Sequence, residues 1–173
     1  MENVLMSRKL NPSKQPRQSK AIELFIRADK QQELGKLRSA FRLFLAAAKL
    51  GEPSCQARLG SIYADGIGVK PNRKAALYWY RRASQQGEGS AAFNLGIVFR
   101  DEENFKDALL WFQRAVALGV VDANLEIAKI YLRNGKYSRK AIEHLKVIRK
   151  AKAPEVFVDT QGEANRLLKQ FGS

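Results

Sequence analysis

The apolar and small residues between residues 55 and 119 recur in the same order twice, at helical spacing. Each copy places a leucine–glycine pair and an aromatic residue on one face of a first helix, and alanine and tryptophan on one face of a second. The copies are offset by 36 residues in the first helix and by 32 in the second, because the second copy lacks the GIGV segment. A repeat of this length predicts stacked helical hairpins. The matching pairs are Leu59-Gly60 with Leu95-Gly96, Tyr63 with Phe99, Ala76 with Ala108, Trp79 with Trp111, and Ala83 with Ala115.

The alternation of small and large residues has a structural reason. Glycine and alanine let two helix backbones approach closely, and the aromatic residues then fill the space between hairpins. One hairpin cannot bury its own apolar face, so neighbouring hairpins must stack. We therefore interpret the aromatic residues of this segment as core.

The residues of the first copy carry a family resemblance. The run from Leu59-Gly60 through Tyr63-Ala64-Asp65-Gly66 and Gly68-Val69, followed by Trp79-Tyr80 and Ala83, resembles a Sel1-like repeat that ends at Gly87. The second copy is similar to a tetratricopeptide repeat. The resemblance implies an α/α solenoid that binds other proteins, and it implies no enzymatic activity.

The periodicity extends beyond the two copies and predicts an all-α solenoid of antiparallel helical hairpins. We expect a flexible basic tail over residues 1–20, where prolines and polar residues leave little to pack. The helical-repeat domain covers residues 21–173, with hairpins at about 21–51, 53–87, 89–119 and 121–151. Apolar residues at helical spacing over about 161–171 predict a capping helix, which solenoids need at their ends.

The charge of the chain narrows the choice of partner. The 173 residues carry a formal net charge of +14, which favours an acidic protein or peptide, nucleic acid or an anionic surface. The single cysteine, Cys55, makes no intramolecular disulfide and favours a reducing, cytoplasmic location. No apolar run is long enough to span a membrane, and the N-terminus lacks the apolar core of a signal peptide.

Residue patterns that would indicate catalysis or cofactor binding are absent from the sequence. The two glycines Gly66 and Gly68 follow a predicted helix rather than a strand, so we interpret them as a hairpin turn and not a phosphate loop. The only histidine, His144, has no second histidine or cysteine at a ligand spacing. We expect no enzyme, no cofactor, no metal and no small-molecule substrate.

A binding surface follows from the repeat register. If the hairpins stack as in tetratricopeptide-like solenoids, the first helix of each hairpin lines a concave groove. Apolar, amide and basic side chains in such a groove suit an acidic protein or peptide. This predicts an adaptor, a regulator or a neutralising, immunity-type partner. The predicted partner-binding residues are Arg58, Ser61, Phe93, Asn94, Ile97, Arg100, Lys129 and Arg133. For Phe93, packing between repeats is an equally good interpretation.

The alternative hypothesis is nucleic-acid binding. Basic residues are dense between Lys129 and Lys152, and they would contact phosphates together with the basic tail. Charge supports this hypothesis, whereas the aromatic residues, which we place in the core, do not form an exposed stacking platform. The predicted anion-contact residues are Lys136, Arg139, Lys140, Lys146, Arg149 and Lys150.

Overall fold

The computed structural model describes residues 15–133, 138–152 and 156–171, and within these ranges all regular structure is helical. The expected all-α solenoid is confirmed. In chain order the helices are α1 (Gln15–Glu33), α2 (Leu37–Lys49), α3 (Pro53–Asp65), α4 (Arg73–Gln85), α5 (Gly89–Asp101), α6 (Phe105–Ala117), α7 (Ala123–Arg133), α8 (Ser138–Lys150) and α9 (Val158–Phe171).

The helices pair into four hairpins. Each of α1, α3, α5 and α7 packs against the helix that follows it, and we call these four the first helices. Their partners α2, α4, α6 and α8 are the second helices. Of these, α2, α4 and α6 also pack against the first helix of the next hairpin. The ninth helix packs against α8 at the C-terminal end. Among the described helices the main contacts run between adjacent hairpins, so the core follows the stack as three successive apolar clusters.

A glycine and an aromatic ring set the helix crossing in the two central hairpins. A Cβ atom built on Gly60 would lie 2.5 Å from the Tyr80 ring, and one built on Gly96 would lie 2.5 Å from the Phe112 ring. The missing side chain therefore lets the backbone of the first helix rest directly on the ring of the second. The fourth hairpin has Ala128 and Leu145 at the equivalent positions, both fully buried.

The longer turn of the second hairpin packs against the first hairpin. Ile67 and Val69 are half-buried against the core formed by α1 to α4. Gly68 has a φ of +72°, and a Cβ atom there would lie 2.7 Å from the backbone of Leu37. Both the left-handed backbone and the close approach require glycine at this position.

The first helix begins earlier than the sequence predicts. We expected a flexible tail through residue 20, but α1 starts at Gln15. Pro16 is compatible with a first helical turn, and the exposed residues 17–20 lead into Ala21, which is buried. A polar, exposed stretch can continue a helix that is anchored further along by a buried residue such as Ala21, so the polar composition of residues 15–20 did not exclude helix. The rest of the predicted tail, and Lys136, lie outside the described residues.

None of the helices in the described ranges combines the length and the apolar character needed to cross a bilayer.

Candidate binding groove and charged surfaces

A groove of about 630 Å³ lies where the second and third hairpins meet. Its walls come from the C-terminal halves of α3 and α5, and residues of α4 close it from one side. Among the residues that line the groove are Ser61, Asp65, Tyr80, Asn94, Ile97 and Asp101.

The floor of the groove is a hydrogen-bonded tyrosine. The Tyr80 hydroxyl donates to Ser61 Oγ at 3.1 Å, and the Asn94 side chain lies beside it. Burial raises the pKa of Tyr80 above its ordinary value, although hydrogen bonding to Ser61 and Asn94 opposes the shift. The hydroxyl is therefore protonated at neutral pH. Phe112 occupies the same place in the next hairpin without a hydroxyl, so this polar floor distinguishes the groove between α3 and α5.

The rim of the groove is mostly acidic. It carries the carboxylates of Asp65, Asp101 and Glu102, and one cation, Arg73. Arg73 forms a two-pronged ion pair with Glu102, which connects α4 to the end of α5. Arg100 pairs with Asp101 at 2.8 Å. Asp65 has no ion pair among the residues that the structure describes.

Three of the eight predicted partner-binding residues, Ser61, Asn94 and Ile97, line this groove. Two others pack inside the solenoid. Arg58 donates to Gln32 Oε1 at 3.0 Å and lies over the Phe44 ring at 5.6 Å, so it connects the first two hairpins. Phe93 packs against Phe112, with ring centroids 5.5 Å apart. This contact joins α5 to α6 within the third hairpin.

The remaining three predicted residues are cations that already have carboxylate partners within the chain. Arg100 pairs with Glu126 of the next hairpin, and Lys129 pairs with Glu126 at 3.3 Å and with Glu163 of α9 at 3.1 Å. Arg133 pairs with Glu103 at 2.9 Å. These pairs connect the third hairpin to the fourth and the fourth to the last helix.

Sequence reasoning missed Asp65, Arg73, Tyr80 and Glu102 as groove residues. A signal for Tyr80 was present, because the repeat register aligns it with Phe112 and leaves the hydroxyl as the difference. A signal for the rim was the acidic pair Asp65 and Asp101, which are 36 residues apart and so occupy equivalent positions. Arg73 and Glu102 belong to the rim only because two hairpins meet there.

The predicted anion-contact residues lie on α8, apart from Lys136, which is outside the described residues. The other five are exposed. Two of them have contacts on the surface: Arg139 lies 3.8 Å from the Glu143 carboxylate, and Lys140 lies over the Tyr131 ring at 5.9 Å. The exposed members of the set are Arg139, Lys140, Lys146, Arg149 and Lys150.

The positive charge is divided unequally between the two sets of helices. The four second helices hold 14 lysines and arginines against two carboxylates, a net charge of +12. The four first helices hold eight against six, a net charge of +2. The groove is therefore walled by the nearly neutral first helices, and the second helices carry most of the net charge of +14.

The only histidine in the sequence is half-buried and lies beside an asparagine side chain. His144 Nδ1 lies 2.8 Å from the Asn124 side-chain oxygen, and burial lowers the pKa of His144 below its ordinary value, with Glu143 opposing the shift. No group of three or more potential metal ligands occurs within the described part of the chain.

Comparison with known proteins identifies the repeats. A model of the Sel1 repeat family matches residues 36–52, 53–88 and 89–120. The chain is 30% identical over 78 residues to a Sel1-like repeat-containing protein of Acanthamoeba polyphaga mimivirus. It is 29% identical over 119 residues to chitin synthase regulatory factor 3 of Schizosaccharomyces pombe. These alignments cover 45% and 64% of this chain but 15% and 12% of the relatives, so the chain spans a small part of their length.

The fold has a counterpart among solved structures. The crystal structure of a Sel1 repeat protein from Oxalobacter formigenes is similar with a TM-score of 0.70 and 23% sequence identity. The likeness covers 91% of this chain and 66% of that one, and it supports the assignment of an all-α repeat fold.

Proposed function

This chain is a Sel1 repeat protein, and from that premise we propose that it binds a segment of a partner protein in the groove between α3 and α5. Sel1 repeat proteins generally mediate protein–protein interactions. The family is typically non-catalytic, and we propose a non-catalytic role for this chain too. The observation that carries the proposal is the polar floor formed by Tyr80, Ser61 and Asn94 in a groove whose walls also offer apolar side chains.

The groove offers what an extended polypeptide needs. A peptide backbone presents a donor and an acceptor at almost every residue, and both must be satisfied when it is bound. Asn94 and Ser61 can supply such partners, and Ile97 and Val98 supply apolar surface for a side chain. A few polar groups at fixed positions in an apolar cleft are typical of sites that orient a ligand.

The charges on the groove rim indicate which charge the bound partner segment should carry. We predicted an acidic ligand for the groove from Arg100, Lys129 and Arg133, but these cations have internal carboxylate partners. The rim carries three carboxylates, of which Asp101 and Glu102 pair with Arg100 and Arg73, whereas Asp65 has no ion pair among the described residues. Like charges at a binding surface disfavour association, so we propose that the segment in the groove is neutral or basic. The acidic character that we expect of the partner protein is then recognised elsewhere on the molecule.

Such binding would serve an adaptor, regulator or neutralising protein. A regulatory role is the one named for the S. pombe relative. We propose a cytoplasmic location, which is supported by a cysteine that is buried and free. Nucleic acid remains the alternative ligand, and the excess charge of the second helices is the observation that favours it.

The test compares variants in a pull-down from nuclease-treated lysate of the source cells, quantified by mass spectrometry. Ile97→Glu places a charge in the groove, and Asn94→Ala removes its amide without adding bulk. Leu34→Glu is the matched control, because Leu34 is 58% exposed and lies outside the groove. We expect one protein that wild type and Leu34→Glu retain equally and that both groove variants lose by roughly tenfold or more, as for a hot-spot residue. Equal retention by all four proteins, or a partner that is recovered from untreated lysate but not from nuclease-treated lysate, would contradict the proposal.

A further inference from the structure

A row of four cations runs along the second helices, one in each hairpin. Arg38, Lys74, Lys106 and Arg139 are each the second residue of α2, α4, α6 and α8, respectively. All four are exposed, and we call them the cation ladder. Within the described residues only Arg139 has an ion pair, a long and exposed one with Glu143.

The position of the ladder opposes helix stability. The first turn of a helix is the positive end of its dipole, where an acidic side chain is favourable and a cation is unfavourable. The first turns of α2, α4 and α8 nevertheless contain no acidic residue. A cation at the same unfavourable place in every hairpin is not explained by stability of the solenoid, which indicates that the ladder has another role.

Two exposed apolar side chains lie one turn beyond the ladder. Tyr78 is 51% exposed and Leu110 is 58% exposed, and each follows its ladder residue, Lys74 or Lys106, by four positions on the same helix face. Arg82 donates to the Tyr78 hydroxyl at 3.1 Å and holds it in place. The surface therefore combines regularly spaced cations with apolar side chains.

A cavity of about 860 Å³ opens at one end of the ladder. It lies between the turn of the first hairpin and the loop that contains Gly68, and it is lined by Lys36, Arg38 and Lys70 with no carboxylate. An anionic side chain at this end would meet three cations, so the cavity continues the positive surface around the edge of the solenoid.

We infer that the second-helix face is a docking surface for an acidic segment of a partner protein. Its carboxylates pair with the cation ladder, and its apolar side chains cover Tyr78 and Leu110. This goes beyond the groove proposed above, because it uses the other set of helices and a segment of opposite charge.

Spacing and apolar surface both favour a polypeptide over nucleic acid. Packed helices lie roughly 8–10 Å apart, and three residues of an extended or polyproline-type chain span about 9–10 Å. A segment with a carboxylate at every third residue therefore matches the ladder. Single-stranded nucleic acid would need exposed aromatic rings for stacking. In the described parts of the second helices, Tyr78 is the one aromatic side chain that is largely exposed.

The test measures binding of a fluorescein-labelled synthetic peptide by fluorescence anisotropy. The peptide has about 12 residues, long enough to span four ladder positions, with glutamate at every third residue and two leucines between them. Replacing all four ladder residues by serine should weaken binding by roughly tenfold or more, since four exposed ion pairs are lost. Leu110→Ser should weaken it by roughly threefold or more, because it removes an apolar anchor.

The control variant replaces four cations of α1, Arg17, Lys20, Arg27 and Lys30, by serine, so both variants lose the same charge. We expect it to bind the peptide within about twofold of wild type, because the contacts and not the net charge decide affinity. The ladder variant should melt no lower than wild type, since it removes cations from positive helix ends. Equal weakening by both variants, or no peptide binding by wild type, would overturn the inference. The inference would also be overturned if a labelled DNA duplex bound more tightly than the peptide, and if replacing the ladder weakened DNA binding but left peptide binding unchanged.

Discussion

Replacing Gly60 by alanine tests the packing of the central hairpins. A Cβ atom at this position would lie 2.5, 2.6 and 2.9 Å from three ring carbons of Tyr80. Carbon atoms in favourable contact are about 3.5–4.0 Å apart, so the helix and the ring must separate by about 1 Å. Overpacking of this kind costs about 2–3 kcal/mol, and alanine gains about 1 kcal/mol in helix propensity. We expect the free energy of unfolding to fall by about 1–2 kcal/mol, and the melting temperature by about 2–8 °C.

The matched control is Gly162→Ala in α9. A Cβ atom on Gly162 would have no neighbouring atom within 4 Å, so only the propensity gain remains. This substitution should raise the free energy of unfolding by about 0.5–1 kcal/mol. The two glycine-to-alanine changes therefore have opposite predicted signs. Thermal and urea unfolding of the same two proteins, followed by circular dichroism, measures both.

The fourth hairpin suggests how the clash is relieved. It has Ala128 and Leu145 where the second hairpin has Gly60 and Tyr80, and both are fully buried. Tyr80→Leu alone loses ring volume and the hydrogen bond to Ser61, at a cost of about 1–3 kcal/mol. Combined with Gly60→Ala it should cost at least about 1 kcal/mol less than the sum of the single changes. Strict additivity, or a Gly60→Ala protein as stable as wild type, would refute the account of the crossing.

Three further predictions concern single residues. Glu103 has a φ of +57°, so Glu103→Gly should raise the free energy of unfolding by about 0.5–1 kcal/mol in urea titrations, even though its exposed ion pair with Arg133 is lost. Arg114 donates to both Ser84 Oγ and the Ser84 carbonyl at 2.8 Å, and Ser84 is fully buried. Arg114→Ala should therefore lower the free energy of unfolding by about 1–3 kcal/mol, and an unchanged value would contradict this. The pKa of His144 is lowered in the folded protein, so near pH 6.5 and below the unfolded chain binds more protons than the folded one. The stability of the protein should therefore fall as the pH drops below that value. Melting curves should show a smaller fall for His144→Gln.

The fold followed from the sequence because its cause is local and repeated. The leucine–glycine pair and the aromatic residue recur in register, and in each case the structure places a glycine against a ring. The packing of Ile67 and Val69 was predictable for the same reason, since an apolar turn residue has only the neighbouring hairpin to cover it. The start of α1 was not predictable from composition, because its extension to Gln15 depends on how residues such as Ala21 pack in the folded protein.

The candidate groove was predicted less completely because it depends on pairs of residues distant in the chain. Arg100 and Lys129 looked available in the sequence, yet Arg100 meets Glu126, and Lys129 meets Glu163, only after the helices stack. The pair of Lys129 with Glu126, three residues apart on α7, was readable from the sequence. The unequal division of charge between first and second helices was, in contrast, readable from the repeat register. It was missed because basic residues were considered along the chain, between Lys129 and Lys152, and not across equivalent positions of successive hairpins.

Site-specific photo-crosslinking in the source cells tests most directly that the groove is where this Sel1 repeat protein binds its partner. A photoreactive phenylalanine analogue would replace Ile97 in the groove in one protein and Leu34 outside it in another. The account predicts a discrete crosslinked protein from position 97 and none from position 34. Crosslinking from position 34 alone, or the same crosslinked proteins from both positions, would contradict it.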